Sequence, residues 1–160
     1  MPRRTLGSMF KIMLALHLLA AIFAIGPLVG AATTASRGLR TADGSATASA
    51  ARTLTIYGYA SIVVVFFGFG LMSAKDPHTH KVAGDMGDVW IWLSIVIWLV
   101  TLGLLFGVVV PALKQATNAI TGGSAAGSLG SATGKVAACG GVIALLYAVI
   151  VFLMVYRPGS

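Results

Sequence analysis

The chain has 160 residues, 58% of them hydrophobic and 9% charged, with a formal net charge of +7 and a mean hydropathy of +0.93. So little polar surface cannot cover a water-soluble globule, which excludes a soluble enzyme or soluble binding domain and places the chain in a bilayer. Strands of a membrane barrel alternate polar and apolar over about 10 residues, whereas "SIVVVFFGFGLM" and "IWLSIVIWLVTLGLLFGVVV" are apolar on every face, so the spans are expected to be helices.

Crossing a hydrocarbon core takes roughly 20 helical residues, and the first stretch that long runs from Ile12 to Ala35. Arg3, Arg4 and Lys11 precede it as they would a secretory signal. Its apolar run exceeds the usual signal core of about 7–15 residues, so the segment is expected to be retained as a span. His17 is the only readily ionisable side chain well inside a span, which makes it the candidate cofactor ligand, for haem. A six-coordinate haem needs a second axial ligand, from Met72, Met154 or His17 of a second copy. The competing expectation is a neutral His17 hydrogen-bonded to a neighbouring helix. Gly26 and Gly30 form a small-xxx-small pair that lets another backbone approach, a candidate helix-packing seam. Pro27 is expected to kink the helix near Phe23 to Pro27.

The connection "SRGLRTADGSATASAAR" is polar, rich in small residues and too poor in large apolar ones to build a second core. Arg37, Arg40 and Arg52 stand in or beside it with only Asp43 near them, a candidate headgroup site for cardiolipin or a similar anionic phospholipid. The same arginines serve equally well simply to set topology. The second span runs from Thr53 to Ala74, and "KDPHTHKVAGDMGDVW" follows. There His78 and His80, with Asp76, offer nitrogen and oxygen ligands for zinc or copper, and Asp85 and Asp88 lie close enough in sequence to complete a set. The alternative is a polar turn built from Pro, Gly and Asp, in which the Asp88 carboxylate caps the third span.

The third span runs from Val89 to Leu113, and Trp90 and Trp92 sit where an amphipathic indole anchors a helix at the headgroup level. Gly103 and Gly107 are a second small-xxx-small pair. Pro111 either kinks this span or marks its exit, with room for helix to continue towards Ala119 and for Lys114 to sit at the interface. The next connection contains "GSLGSATGKV", which resembles a phosphate-binding loop but has Leu129 where that pattern needs Gly and Val136 where it needs Ser or Thr. No nucleotide is therefore expected as a partner, and separately no nucleic acid is expected. The fourth span, Val136 to Tyr156, carries the lone Cys139, which precludes an intramolecular disulfide and is expected to act as a small buried hydrophobe.

These spans make one domain over residues 1–160: an all-α, polytopic membrane protein with four transmembrane helices in an antiparallel bundle. Orientation does not follow from charge. One side carries Arg3, Arg4, Lys11, Lys75, Lys81 and Arg157, the other Arg37, Arg40, Arg52, Lys114 and Lys135, a near tie. No Cys or Ser is set beside a buried His and Asp, and no pair of carboxylates lies within the spans, so hydrolysis and proton pumping both lack their chemistry.

His17 followed by Gly26 and Pro27, then Tyr57 and Gly58, Trp90 and Trp92, and Pro111 give the chain a resemblance to an uncharacterised family of small four-helix bacterial integral membrane proteins with a domain of unknown function. That family is similar in layout, distantly, to copper-resistance membrane proteins. The resemblance implies a metal at "DPHTH" and an outside N-terminus, with the loop of Arg37 and Arg40 in the cytoplasm. Small proteins of this kind also occur as accessory subunits of respiratory complexes. The expectation drawn from all this is a multi-pass protein of the bacterial cytoplasmic membrane. It is expected to be a non-catalytic accessory subunit without cofactor that packs against other integral membrane subunits and anionic phospholipid, with a respiratory-chain supercomplex as the named candidate. The alternative is a haem- or metal-handling membrane protein using His17, or His78 with His80.

Overall fold

A computed structural model describes residues 3–73, 84–123 and 129–158, with side chains from residue 9 onward apart from that of Ser73. Its described residues form four long helices: α1 (Arg3–Arg40), α2 (Gly44–Ser73), α3 (Val89–Thr121) and α4 (Leu129–Tyr156). All four are long and apolar enough to cross a membrane. Each helix packs against the next in sequence, and α4 returns to α1, which closes the bundle. Consecutive helices are antiparallel: Gly38 of α1 meets Thr47 at the start of α2, while His17 meets Val64 and Met13 approaches Gly70 near its end.

In lipid every backbone group must find its partner within the chain, and helices achieve this segment by segment. Hydroxyl-bearing residues fit the same scheme by donating to a carbonyl one turn back, as Thr55 does to Ala51 (2.8 Å), Ser94 to Trp90 (2.8 Å) and Thr117 to Leu113 (2.9 Å). The core lies where all four helices meet. Leu28, Leu54, Leu105, Leu113 and Ile143 are completely enclosed there. By contrast α1 has no buried residue between Met9 and Phe23, so its first half shows its apolar side chains to the bundle's surroundings.

The segment 36–52 is not the polar connection its composition implies. Helix α1 continues to Arg40 and α2 begins at Gly44, leaving only residues 41–43 between them. Alanine has the highest helix propensity, and small side chains let the two helices approach closely enough to bury Ala35, Leu39, Thr47 and Ala51 between them. The helices thus prolong the same core rather than needing a second one. At 38 residues α1 is about 57 Å long, well beyond a hydrocarbon thickness of about 30 Å, so the hairpin extends past the apolar layer.

The turn itself closes by a recognisable hydrogen-bond pattern. The Asp43 N–H donates to the Gly38 carbonyl (2.9 Å) and the Ala42 N–H to that of Leu39 (3.3 Å), with Ala42 in the left-handed region at φ 48°. Asp43 then starts α2: one carboxylate oxygen accepts from the amides of Ser45 (2.9 Å) and Ala46 (3.0 Å) and from the Ser45 hydroxyl (2.7 Å). Those donors hold its carboxyl below the usual carboxylate range, the Ala46 amide contributing most.

Asp88 behaves differently from the expectation. It occupies the residue before α3, but its carboxylate makes no cap; it turns back to accept from the Asp85 amide (2.8 Å), closing the 85–88 turn instead. Pro27 lies inside α1 without interrupting it. Pro111 is accommodated in another way. Just before it, Leu105–Val109 widens to a π-helical turn in which the Val110 N–H donates to the Leu105 carbonyl, five residues back, and the helix continues to Thr121.

Candidate functional site

The hairpin end of the bundle, where α1 turns into α2, gathers Arg37, Arg40, Arg52, Lys114 and Lys135, with Asp43 as the acid among the described residues there. The three arginines expected to form one headgroup site do not share a cleft. Arg37 lines a groove of about 450 Å³ between α1 and α2, together with Asp43, Thr34 and Ser49. Arg52 lines a separate groove of about 460 Å³ between α2 and α3, together with Lys114, Thr117 and Asn118. Arg40 is exposed and lines neither. The reason is helical phase: Arg52 shares a face of α2 with Ala48 and Ile56, whereas Ser49, Ala50 and Thr53 face α1.

His17 is half-buried, with Nδ1 3.0 Å from the Val64 carbonyl oxygen of α2 and its ring against Gly68. A carbonyl only accepts, so Nδ1 carries the hydrogen, and in the neutral ring the lone pair falls to Nε2. The residues His78, His80 and Asp76 lie outside the described residues. Among the described residues no three His, Cys, Asp or Glu side chains come together.

All four glycines expected at packing seams face outward. Among the described residues a Cβ built on Gly26, Gly30, Gly103 or Gly107 meets nothing within 4 Å, so none of them packs against another of the described helices. The phase of the buried residues explains this outward direction. On α1 the inward positions are Ala24, Leu28, Ala32, Ala35 and Leu39, and Gly26 and Gly30 fall on the far side. The intimate contacts involve other glycines. A methyl on Gly140 of α4 would overlap the Ala32 carbonyl oxygen of α1, and one on Gly58 of α2 would come within 2.7 Å of both Leu105 and Phe106 of α3.

One polar cluster in the core was not singled out by the sequence. Ser61 of α2, 1% exposed, donates to the Gly58 carbonyl (2.7 Å) and accepts from Trp98 Nε1 of α3 (3.0 Å). The buried Tyr147 hydroxyl of α4 approaches Ser61 without a properly formed hydrogen bond. Ser61 thereby ties two helices directly and stands beside a third. Its signal in sequence is only a single Ser in "YASIVVVFF", with nothing to show that an indole waits opposite.

The two interface tryptophans also part company. Trp92 is exposed and its Nε1 donates to the Met86 carbonyl (2.9 Å), as suits an interface anchor. Trp90 is 8% exposed, packed against Gly84, with the Arg157 guanidinium 5.7 Å above its ring.

No family model, curated protein or solved structure matches this chain. The resemblance to the four-helix bacterial family therefore rests on the quoted residues alone.

Proposed function

We propose that this protein is a non-catalytic accessory subunit of a larger complex in the bacterial cytoplasmic membrane, with a respiratory-chain supercomplex as the candidate assembly. The observation that carries the reading is the direction of Gly26 and Gly30 on α1 and of Gly103 and Gly107 on α3. A glycine inside a helix costs up to about 1 kcal/mol relative to alanine, and among the described residues these four serve no contact within the bundle. In a bilayer, where apolar side chains gain nothing by leaving lipid for one another, a smooth backbone strip is what allows a second helix close van der Waals approach.

Purification in a mild detergent followed by mass spectrometry tests this. Stoichiometric membrane partners are expected with the wild-type chain, and their loss with Gly26→Leu/Gly30→Leu or Gly103→Leu/Gly107→Leu. A wild-type protein that migrates alone overturns the reading.

His17 supports a second reading, as a haem- or metal-handling protein. Ligating histidines commonly hold one ring N–H on a carbonyl and bind through the other nitrogen, and the bond to Val64 leaves Nε2 in that position. An absorption spectrum and metal analysis decide it: a Soret band lost in His17→Ala favours haem, and colourless, metal-free protein removes this reading.

A further inference from the structure

We infer that the groove between α2 and α3 at the hairpin end binds the phosphate of an anionic lipid headgroup, held by Arg52 and Lys114 with the Asn118 amide as a neutral donor. The site is assembled from two helices that are distant in sequence. Arg52 comes from α2, Lys114 and Asn118 from one face of α3 four residues apart, and Ala48 and Ala51 keep the floor low enough to leave about 460 Å³ between them. A pocket of that size falls within the ordinary range for small ligands, about 300–1,000 Å³.

Charge and donor inventory select a phosphate. Two cations converge on the groove and, among the described residues, no carboxylate lines it, whereas the neighbouring groove sets Asp43 near Arg37. The hydroxyls of Thr55 and Thr117 already donate to their own helices, at the Ala51 and Leu113 carbonyls. The guanidinium, ammonium and carboxamide are thus the donors left for an anion, and a planar guanidinium beside a point-like ammonium suits phosphate oxygens.

Depth selects a lipid as the source. Arg52 stands just before the apolar run that opens at Leu54 of α2, and Lys114 just after the run that closes at Leu113 of α3. Both cations therefore lie at one level, the edge of the apolar layer, where lipid phosphates are found. On the bilayer side of Arg52 the groove is bordered by Ile56, 51% exposed, which offers an acyl chain an apolar wall.

The test uses the full chain in detergent, titrated with phosphatidylglycerol and with phosphatidylcholine and read by native mass spectrometry. Wild type is expected to retain phosphatidylglycerol in preference to phosphatidylcholine. Arg52→Gln/Lys114→Gln is expected to weaken that retention roughly ten-fold or more, and Arg37→Gln/Arg40→Gln, which removes as much charge from the same end, by less than about two-fold. Ala48→Leu, which fills the groove at unchanged charge, is expected to weaken it as well, and thermal unfolding of each variant confirms the fold. Equal losses for the two arginine-containing pairs, or full retention in Ala48→Leu, would overturn the site. Displacement of the lipid by millimolar inorganic phosphate would overturn the assignment to a lipid and leave a free anion as its occupant.

Discussion

Glycines that face into the bundle and glycines that face out of it differ in what a methyl group would meet. At Gly140 it meets a backbone carbonyl of α1, at Gly58 the side chains of Leu105 and Phe106, and at Gly26, Gly30, Gly103 and Gly107 nothing among the described residues within 4 Å. The inward set is needed for this chain to pack against itself. The outward set has no such use within the chain, and on the proposed reading its use lies in a neighbour. The same spacing in sequence therefore carries two different physical roles, separated only by helical phase.

Substitutions sharpen that contrast, beginning with the largest effect. Gly140→Ala forces α1 and α4 apart along a backbone contact that has no rotamer to yield, and is expected to cost about 3 kcal/mol, the upper part of the range for overpacking. Reversible unfolding in mixed micelles measures it. Gly58→Ala meets the ends of side chains that can turn aside, so about 1 kcal/mol is expected by the same measurement. Ser61→Ala deprives Trp98 Nε1 of its acceptor and removes a tie between α2 and α3; about 1 kcal/mol is expected, with a shift in Trp fluorescence that Gly58→Ala does not produce.

The hairpin end offers a pH-dependent version of the contrast. The folded Asp43 carboxyl titrates below its unfolded value, so its stabilising contribution is complete above the unfolded pKa of about 3.9 and is lost as pH falls through the lower folded value. Asparagine caps a helix nearly as well and does not titrate. Asp43→Asn is therefore expected to match wild type near neutrality and to lose less stability than wild type below about pH 4, as read by amide exchange in residues 36–52. Equal acid sensitivity of the two would contradict this assignment of Asp43.

The spans are legible in the sequence because apolar runs without charge have one physical use, and the four helices over them follow. The hairpin is not, because Ala, Thr and Ser in "AATTASRGLRTADGSATASAAR" read as polarity and smallness, whereas what decides their state is propensity combined with close approach at Gly38 and Thr47. Glycine direction becomes legible only when Gly26 is phased against Leu28, and pairing of Arg52 with Lys114 only when α2 and α3 are known to be neighbours. Asp88 shows a local limit of the same kind, since a capping residue type in the capping position has a competing donor three residues back at Asp85.

The smallest expected effect on folding belongs to the outward glycines, and it is also the most telling. Gly26→Leu/Gly30→Leu should leave the bundle at least as stable as wild type, since leucine is the better helix former and meets no neighbour there, while removing the stoichiometric partner from the natively purified complex. A variant that keeps its partner at full occupancy, or a bundle destabilised as strongly as by Gly140→Ala, would contradict the account.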